Sequence, residues 1–244
     1  RYIDIAHDTM EAVHEINASE VLVVGQGDSI VVDQIPAIFD VLLRGRVAYR
    51  FVDGESAAVF PANRSVALVS PDAGEAAGWY GAWPTRELRD GFRLVELDGS
   101  WPQVPPWSED PLEPVGGPRT FQNGIEFQHY AWEAGQEGSG RFWLQWQVLW
   151  LSPDDTHFFV QVLDGEERLW GRQDSAGYPT EFRQKGDRVL TRFDITISEG
   201  TSGMPHWGRA GTYLYPQVVN VPVIDNAGNP VGDTVVMGPL SGEP

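Results

Sequence analysis

The chain is 244 residues long, with 17 Lys+Arg against 35 Asp+Glu for a formal charge of −18, and 41% of its residues are hydrophobic and 11% aromatic. So negative a field repels phosphate backbones and anionic bilayers, which excludes nucleic acid as a partner. Cysteine is absent, so disulfides, thiol nucleophiles and thiolate metal sites drop out together, and no apolar run reaches the roughly 18 residues of a membrane span.

Ala6, Met10 and Val13, with Ile5, Ala12 and Ile16 beside them, predict an amphipathic helix over Ile3 to Ile16. Val21 to Val24 is wholly apolar and β-branched-rich, the pattern of a strand covered on both faces. Asp33, Pro36 in the first turn, the stripe Ile35, Ile38, Phe39, Leu42 and Leu43, and Gly45 beyond it punctuate a second helix. Val47 to Val52, Ala57 to Phe60, Val66 to Val69 and Phe92 to Leu97 read as strands, with a weakly helical stretch between Pro71 and Trp83. Residues 1–100 therefore read as a small three-layer α/β (Rossmann-like) domain.

Six prolines among the residues from Trp101 to Pro118 mark a linker or extended wrap. Beyond it the pattern is strands alone. Over Arg141 to Leu151, Phe142, Leu144, Trp146, Val148 and Trp150 share one face, read as core, and Trp143, Gln145 and Gln147 the other. Phe158 to Leu163, Arg168 to Gln173, Val189 to Ile197, Thr212 to Val219, Val221 to Ile224 and Thr234 to Met237 continue the series. Turns about every ten residues predict that residues 119–244 form a jelly-roll or immunoglobulin-like β-sandwich.

No catalytic constellation emerges. Gly25-Gln26-Gly27-Asp28-Ser29-Ile30 follows a buried strand, but Ile30 replaces the last glycine of a dinucleotide fingerprint and Asp28 repels phosphate. His7 and His14 are two turns apart, too far to chelate one metal, and His129, His157 and His206 are isolated among strands. Gly138-Ser139-Gly140 lacks the spacing of a nucleophile elbow. Asp154-Asp155 sits in a Pro-Asp turn, where aspartate is expected for local hydrogen bonding. The oxygen-rich loop from Asp225 to Asp233 departs from the EF-hand order and reads as a hairpin that could hold calcium. No catalytic residue, metal site or cofactor is therefore assigned. Ten tryptophans stand out, eight of them at or after Trp101. Indoles stack on the apolar faces of sugars, and Trp143 and Trp207 are those whose neighbours least suggest burial.

Phe159-Val160-Gln161-Val162-Leu163-Asp164, Gly171-Arg172-Gln173-Asp174, Gly177-Tyr178-Pro179-Thr180, Gly186-Asp187, Asp194 and Gly211-Thr212-Tyr213 form a recurrent strand-and-turn series. Towards the start of the chain, Val21 to Val24, Tyr49-Arg50-Phe51-Val52-Asp53-Gly54 and Ala57-Ala58-Val59-Phe60-Pro61 accompany it. Together they resemble the soluble carboxy-terminal region of bacterial, Chloroflexi-like polytopic membrane glycosyltransferases of the dolichyl-phosphate-mannose protein-mannosyltransferase-like class. The resemblance implies a non-catalytic extracytoplasmic portion, tethered to the membrane only through a region preceding Arg1, with a glycan or a glycosylation acceptor as partner. A chain beginning at Arg1 rather than Met fits that expectation of a piece of a longer protein. Two alternatives stand beside it: a secreted carbohydrate-binding module, and a glycoside hydrolase with an acid pair between its domains.

Overall fold

A strand apolar on both sides belongs in the middle of a sheet, and Val21 to Val24 takes that place. In the computed structural model, which describes residues 1–105, 111–117, 119–135, 139–197 and 206–240, the protein is β-rich and forms two compact units. One comprises Arg1–Pro111 with Asp187–Val189, the other Leu112–Gly186 with Leu190–Pro244.

In the first unit β1 (Val21–Gly25), β2 (Tyr49–Asp53), β3 (Ala57–Phe60), β4 (Ser65–Val69), β5 (Thr85–Glu87) and β6 (Arg93–Leu97) accompany helices α1 (Tyr2–Glu15) and α2 (Gln34–Leu43). The sheet order is β2-β1-β4-β6-β5. β1 pairs in parallel with both β2 and β4, and β6 and β5 close the edge antiparallel. Every residue of β1 is buried, as its composition demands. The two helices meet through Tyr2 and Phe39, whose rings lie edge to face at 6.1 Å. The stretch after Pro71 is a 3-10 helix, Ala76–Ala82, that buries Trp79 and Tyr80. Tyr80 Oη accepts from the Val59 amide at 2.9 Å, which anchors it to β3.

Arg50 is 5% exposed and lies between two buried carboxylates, donating from Nε to Glu20 at 2.7 Å and from Nη2 to Asp187 at 3.1 Å. With both partners in place the guanidinium is neutralised. Removing Arg50 would strand both buried carboxylates, at about 3–5 kcal/mol.

The second unit contains β7 (Glu113–Pro114), β8 (Thr120–Phe121), β9 (Ile125–Ala134), β10 (Ser139–Val148), β11 (Thr156–Leu163), β12 (Leu169–Ser175), β13 (Arg188–Thr196), β14 (His206–Leu214), β15 (Val219–Asn220), β16 (Val223–Ile224), β17 (Pro230–Gly232) and β18 (Val235–Leu240). One antiparallel sheet follows the order β17-β16-β8-β9-β10-β13, and a second the order β12-β11-β14-β15 with β18 also on β14. The sheets are sandwich-like. Trp146 of β10 stacks on Phe158 of β11 at 4.7 Å, and Phe127 of β9 meets the same ring at 6.2 Å. Gly208 is where Phe142 of the other sheet presses on β14: a Cβ there would lie 2.9 Å from the ring. Buried Arg183 donates to the carbonyls of Tyr178 and Thr156 and covers Trp146, and burial lowers its pKa to about 10.

Three expectations are corrected here. β9 has no counterpart in the sequence reading, although Ile125, Phe127, Tyr130 and Trp132 would mark one face. A register shift opposite Gln145/Trp146 breaks that alternation at Gln128. Trp150 is not core but 41% exposed. β10 ends at Val148, and the Leu149 amide turns to the Gly124 carbonyl at 2.8 Å, so the strand period stops before Trp150. β14 begins at His206 rather than Thr212, because Gly208 and Gly211 look like breakers but serve as close approaches for aromatic rings. In the proline-rich stretch, Glu113–Pro114 pairs with β9 and Leu112 and Val115 are buried. Residues 106–110 and 118 of that stretch, and Gly138, lie outside the described residues. Among the described residues no helix is long and apolar enough to cross a membrane.

Candidate functional site

The two tryptophans singled out from the sequence have opposite fates. Trp143 is 1% exposed, so it offers no face for a sugar to stack on, and this expectation is corrected. The glutamines beside it had suggested a solvated face, but they bond to one another. Gln145 donates to Gln128 at 3.0 Å, Gln128 to Gln147 at 2.7 Å, and His129 Nδ1 donates to Gln145 Oε1 at 2.8 Å. A polar sheet face satisfied from within needs no water.

Trp207 is half-buried on β14 and lines a cavity of about 300 Å³ with Leu163, Asp164, Glu167, Arg209 and Val236. β11 and β14 pair without a slip: Leu163 faces Trp207, Gln161 faces Arg209, Phe159 faces Gly211 and His157 faces Tyr213. With a side-chain period of two, these eight residues line one face of the sheet. The pair Leu163/Trp207 is flanked by irregularities on both sides. β12 slips against β11 between Val162 and Leu163, and β18 slips against β14 between His206 and Gly208. Such bulges re-aim side chains and occur beside sites.

Midway along the face the Phe159 ring lies over Gly211, where a Cβ would sit 2.5 Å from it. Glycine at 211 thus makes room for the Phe159 ring, which is buried, as is Tyr213. Arg209 Nε donates to Gln161 Oε1 at 3.0 Å, and the Tyr213 hydroxyl donates to Asp174 at 3.4 Å. Burial, followed by the charge of Asp174, raises the Tyr213 pKa. At the far end His157 stacks in parallel on Tyr215 at 4.2 Å, and Tyr215 is 49% exposed. In the cavity the Asp164 carboxylate accepts the amides of Arg168 and Glu166 at 3.0 and 2.8 Å and the Trp170 indole at 2.9 Å. These bonds, that from the Arg168 amide foremost, hold its pKa below the usual range.

A proton-donating carboxyl needs a raised pKa. Asp98, Asp164, Asp194 and Asp225 are all displaced downward, which takes these four out of that role. At Asp225 one carboxylate oxygen accepts the amides of Ala227 and Asn229 at 2.8 and 2.9 Å, as in an Asx-stabilised hairpin turn. His7, unlike in the pairing with His14, approaches Asp8 and Glu11, their ligand atoms lying within 4.8 Å of one another. That group occupies a single turn of α1, with His7 and Glu11 exposed.

Sequence reasoning singled out Trp207 but not its neighbours on the paired strands, Leu163, Gln161 and Arg209. The signal was present in the alternation Trp207, Arg209, Gly211, Tyr213, once Gly211 is read as a strand residue.

No family model matches the chain, and no curated protein matches it. Among solved structures, the crystal structure of the C-terminal domain of wzt aligns over 48% of this chain and 74% of that one, at 13% identity and a TM-score of 0.32. A likeness that weak assigns no function.

Proposed function

We propose that the second unit binds glycan on the outer face of the sheet formed by β12, β11, β14 and β18. The observation that carries the reading is the cavity of about 300 Å³ in which half-buried Trp207 stands beside Arg209, whose Nε donates to Gln161 Oε1 at 3.0 Å. Aromatic rings offer apolar faces to the C–H faces of a pyranose, and neighbouring polar groups fix its hydroxyls. Nothing on that face needs to act as a proton donor, so the role is recognition without turnover.

The wider context is that of a non-catalytic, extracytoplasmic portion of a membrane glycosyltransferase-like protein, in which this face would hold glycan or glycosylated acceptor near a transferase. The strand-and-turn resemblance over Phe159 to Tyr213 and Tyr49 to Pro61 supports that context. In the same reading the first unit is a Rossmann-like layer and the second a jelly roll. Two experiments test the proposal. On a glycan array the intact chain gives hits that Trp207→Ala loses while Trp150→Ala keeps them; hits retained by Trp207→Ala remove the face from consideration. The coding sequence upstream of Arg1 encodes several membrane-length apolar segments, and a signal peptide alone there would replace the transferase context with a secreted binding module.

A further inference from the structure

Resting on that glycan reading, we infer that the Trp207 cavity takes a single neutral sugar ring, with Arg209 and Glu167 holding its hydroxyls between them. The volume sets the size. At about 300 Å³ the cavity lies at the lower limit of ligand pockets, room for one ring and not for a run of them. The strands set its walls. Beyond Arg209 on β14 comes Gly211, where a Cβ would lie 2.5 Å from the Phe159 ring and 3.0 Å from the Asp233 carbonyl, and Phe159 and Tyr213 are themselves buried. On the two flanks of β14, the hairpin after β11 lines the cavity through Glu167, and β18 lines it through Val236. A ring seated on Trp207 is thus walled on three sides, which suits a free sugar or the last ring of a chain.

The polar groups decide which ring. Asp164 is buried and its carboxylate already accepts the Glu166 and Arg168 amides and the Trp170 indole, so it shapes the wall rather than meeting the ligand. In the same hairpin Arg168 pairs with Glu166, whereas the exposed Glu167 carboxylate has no partner among the described residues. Its backbone sits at φ +61°, in the left-handed region that favours glycine, so a carboxylate is kept there against a backbone cost. Arg209 is fixed through Nε by Gln161 at 3.0 Å, and its two Nη groups meet no acceptor among the described residues. The cavity therefore offers a forked donor and a carboxylate acceptor beside an indole. A sugar hydroxyl both accepts and donates, so the hydroxyls of one ring answer the fork and the carboxylate while a C–H face lies on Trp207. A sugar acid would answer Arg209 but face Glu167, and an amino sugar would answer Glu167 but face Arg209. The neutral ring meets no like charge.

The test is titration of the intact chain with the methyl glycosides of glucose, mannose, galactose, N-acetylglucosamine, glucosamine and glucuronic acid, and with homotetramers of the four neutral sugars. It is followed by the indole N–H signals in NMR, that of Trp207 being the one lost in Trp207→Ala. The inference expects one neutral methyl glycoside to move the Trp207 signal and to bind within about threefold of its tetramer. Arg209→Ala and Glu167→Ala should each weaken that binding about fivefold or more, Glu167→Ala with no change in melting temperature. A tetramer bound more than about threefold tighter than every methyl glycoside, with Trp207→Ala still abolishing binding, overturns the single-ring inference and leaves the glycan reading intact. Tightest binding of the glucuronide or the glucosaminide overturns the neutral class. Affinity unchanged in both Arg209→Ala and Glu167→Ala overturns the roles given to these two side chains. A Trp207 signal that no sugar moves, together with an array without hits, removes both the inference and the glycan reading.

Discussion

Two sheet faces in the second unit carry the same alternation of aromatic and amide or cationic residues, yet Trp143 on one is buried and Trp207 on the other is only half-buried. On β10, Trp143 precedes Gln145 and Gln147. On β14, Trp207 precedes Arg209. The difference lies in where the polar groups find partners. Around Trp143 the amides of Gln128, Gln145 and Gln147 and the imidazole of His129 bond to one another across the strands, so the face can be buried with few groups left wanting. Around Trp207, Arg209 reaches across to Gln161 on the paired strand, and Asp164 is occupied by the amides of its own hairpin. Polarity in a strand therefore reports hydrogen-bonding capacity and does not by itself tell a buried position from an open one.

The contrast breaks most visibly at Trp143. Trp143→Ala removes a fully buried indole and should lower the unfolding free energy by about 3–5 kcal/mol, measured by urea denaturation. A loss near 1 kcal/mol would mean that this face is not packed as described. Next comes Gln145→Leu, which deprives both Gln128 Oε1 and His129 Nδ1 of their partner. Both bonds are part-buried, so about 1–3 kcal/mol should be lost, and glycan binding should be unaffected.

Much of the architecture was legible because burial on both faces and simple alternation leave strong patterns. β1 is apolar throughout, and α2 is bracketed by Asp33 and Gly45. Both appear within a residue or two of expectation. What was not legible came from contacts made at long range. β9 hides behind an extra residue at Gln128, because a bulge shifts the period by one and splits a single strand pattern in two. β14 hides behind Gly208 and Gly211, whose missing side chains make sense only once Phe142 and Phe159 are known to lie against them. The surroundings of Trp207 were hidden most, since half of them are on β11 and the other half some fifty residues later. Only the register Gln161 to Arg209 joins them. Trp143 and Trp207 were indistinguishable in sequence for the same reason: the partners that close one face lie on β9.

Smaller effects sharpen the comparison on the open side. Gly211→Ala forces the Phe159 ring off the strand and should cost about 1–3 kcal/mol as overpacking, measured by urea denaturation. An unchanged stability would mean that the ring does not lie against position 211. Trp207→Ala should do the reverse of Trp143→Ala. Only part of its surface is buried, so stability should fall by no more than about 1 kcal/mol. Loss of a stacking ring should weaken glycan binding by about 1.4 kcal/mol or more, a factor of ten.

The smallest effect tests the wall of the cavity. Asp164 has its folded pKa held down by the amides it accepts, so it contributes stability above its unfolded value near 3.9 and loses that contribution as pH falls through the folded value. Asp164→Asn keeps the shape but cannot carry the charge. The difference in melting temperature between wild type and variant should therefore be constant above about pH 5 and shrink as pH drops towards about 3. A difference that does not change with pH would mean that the carboxylate is not the group accepting these bonds. Above about pH 5 the same carboxylate stays ionised beside Trp207, so glycan affinity should be flat from there to neutrality. A neutral ligand gives that flat profile.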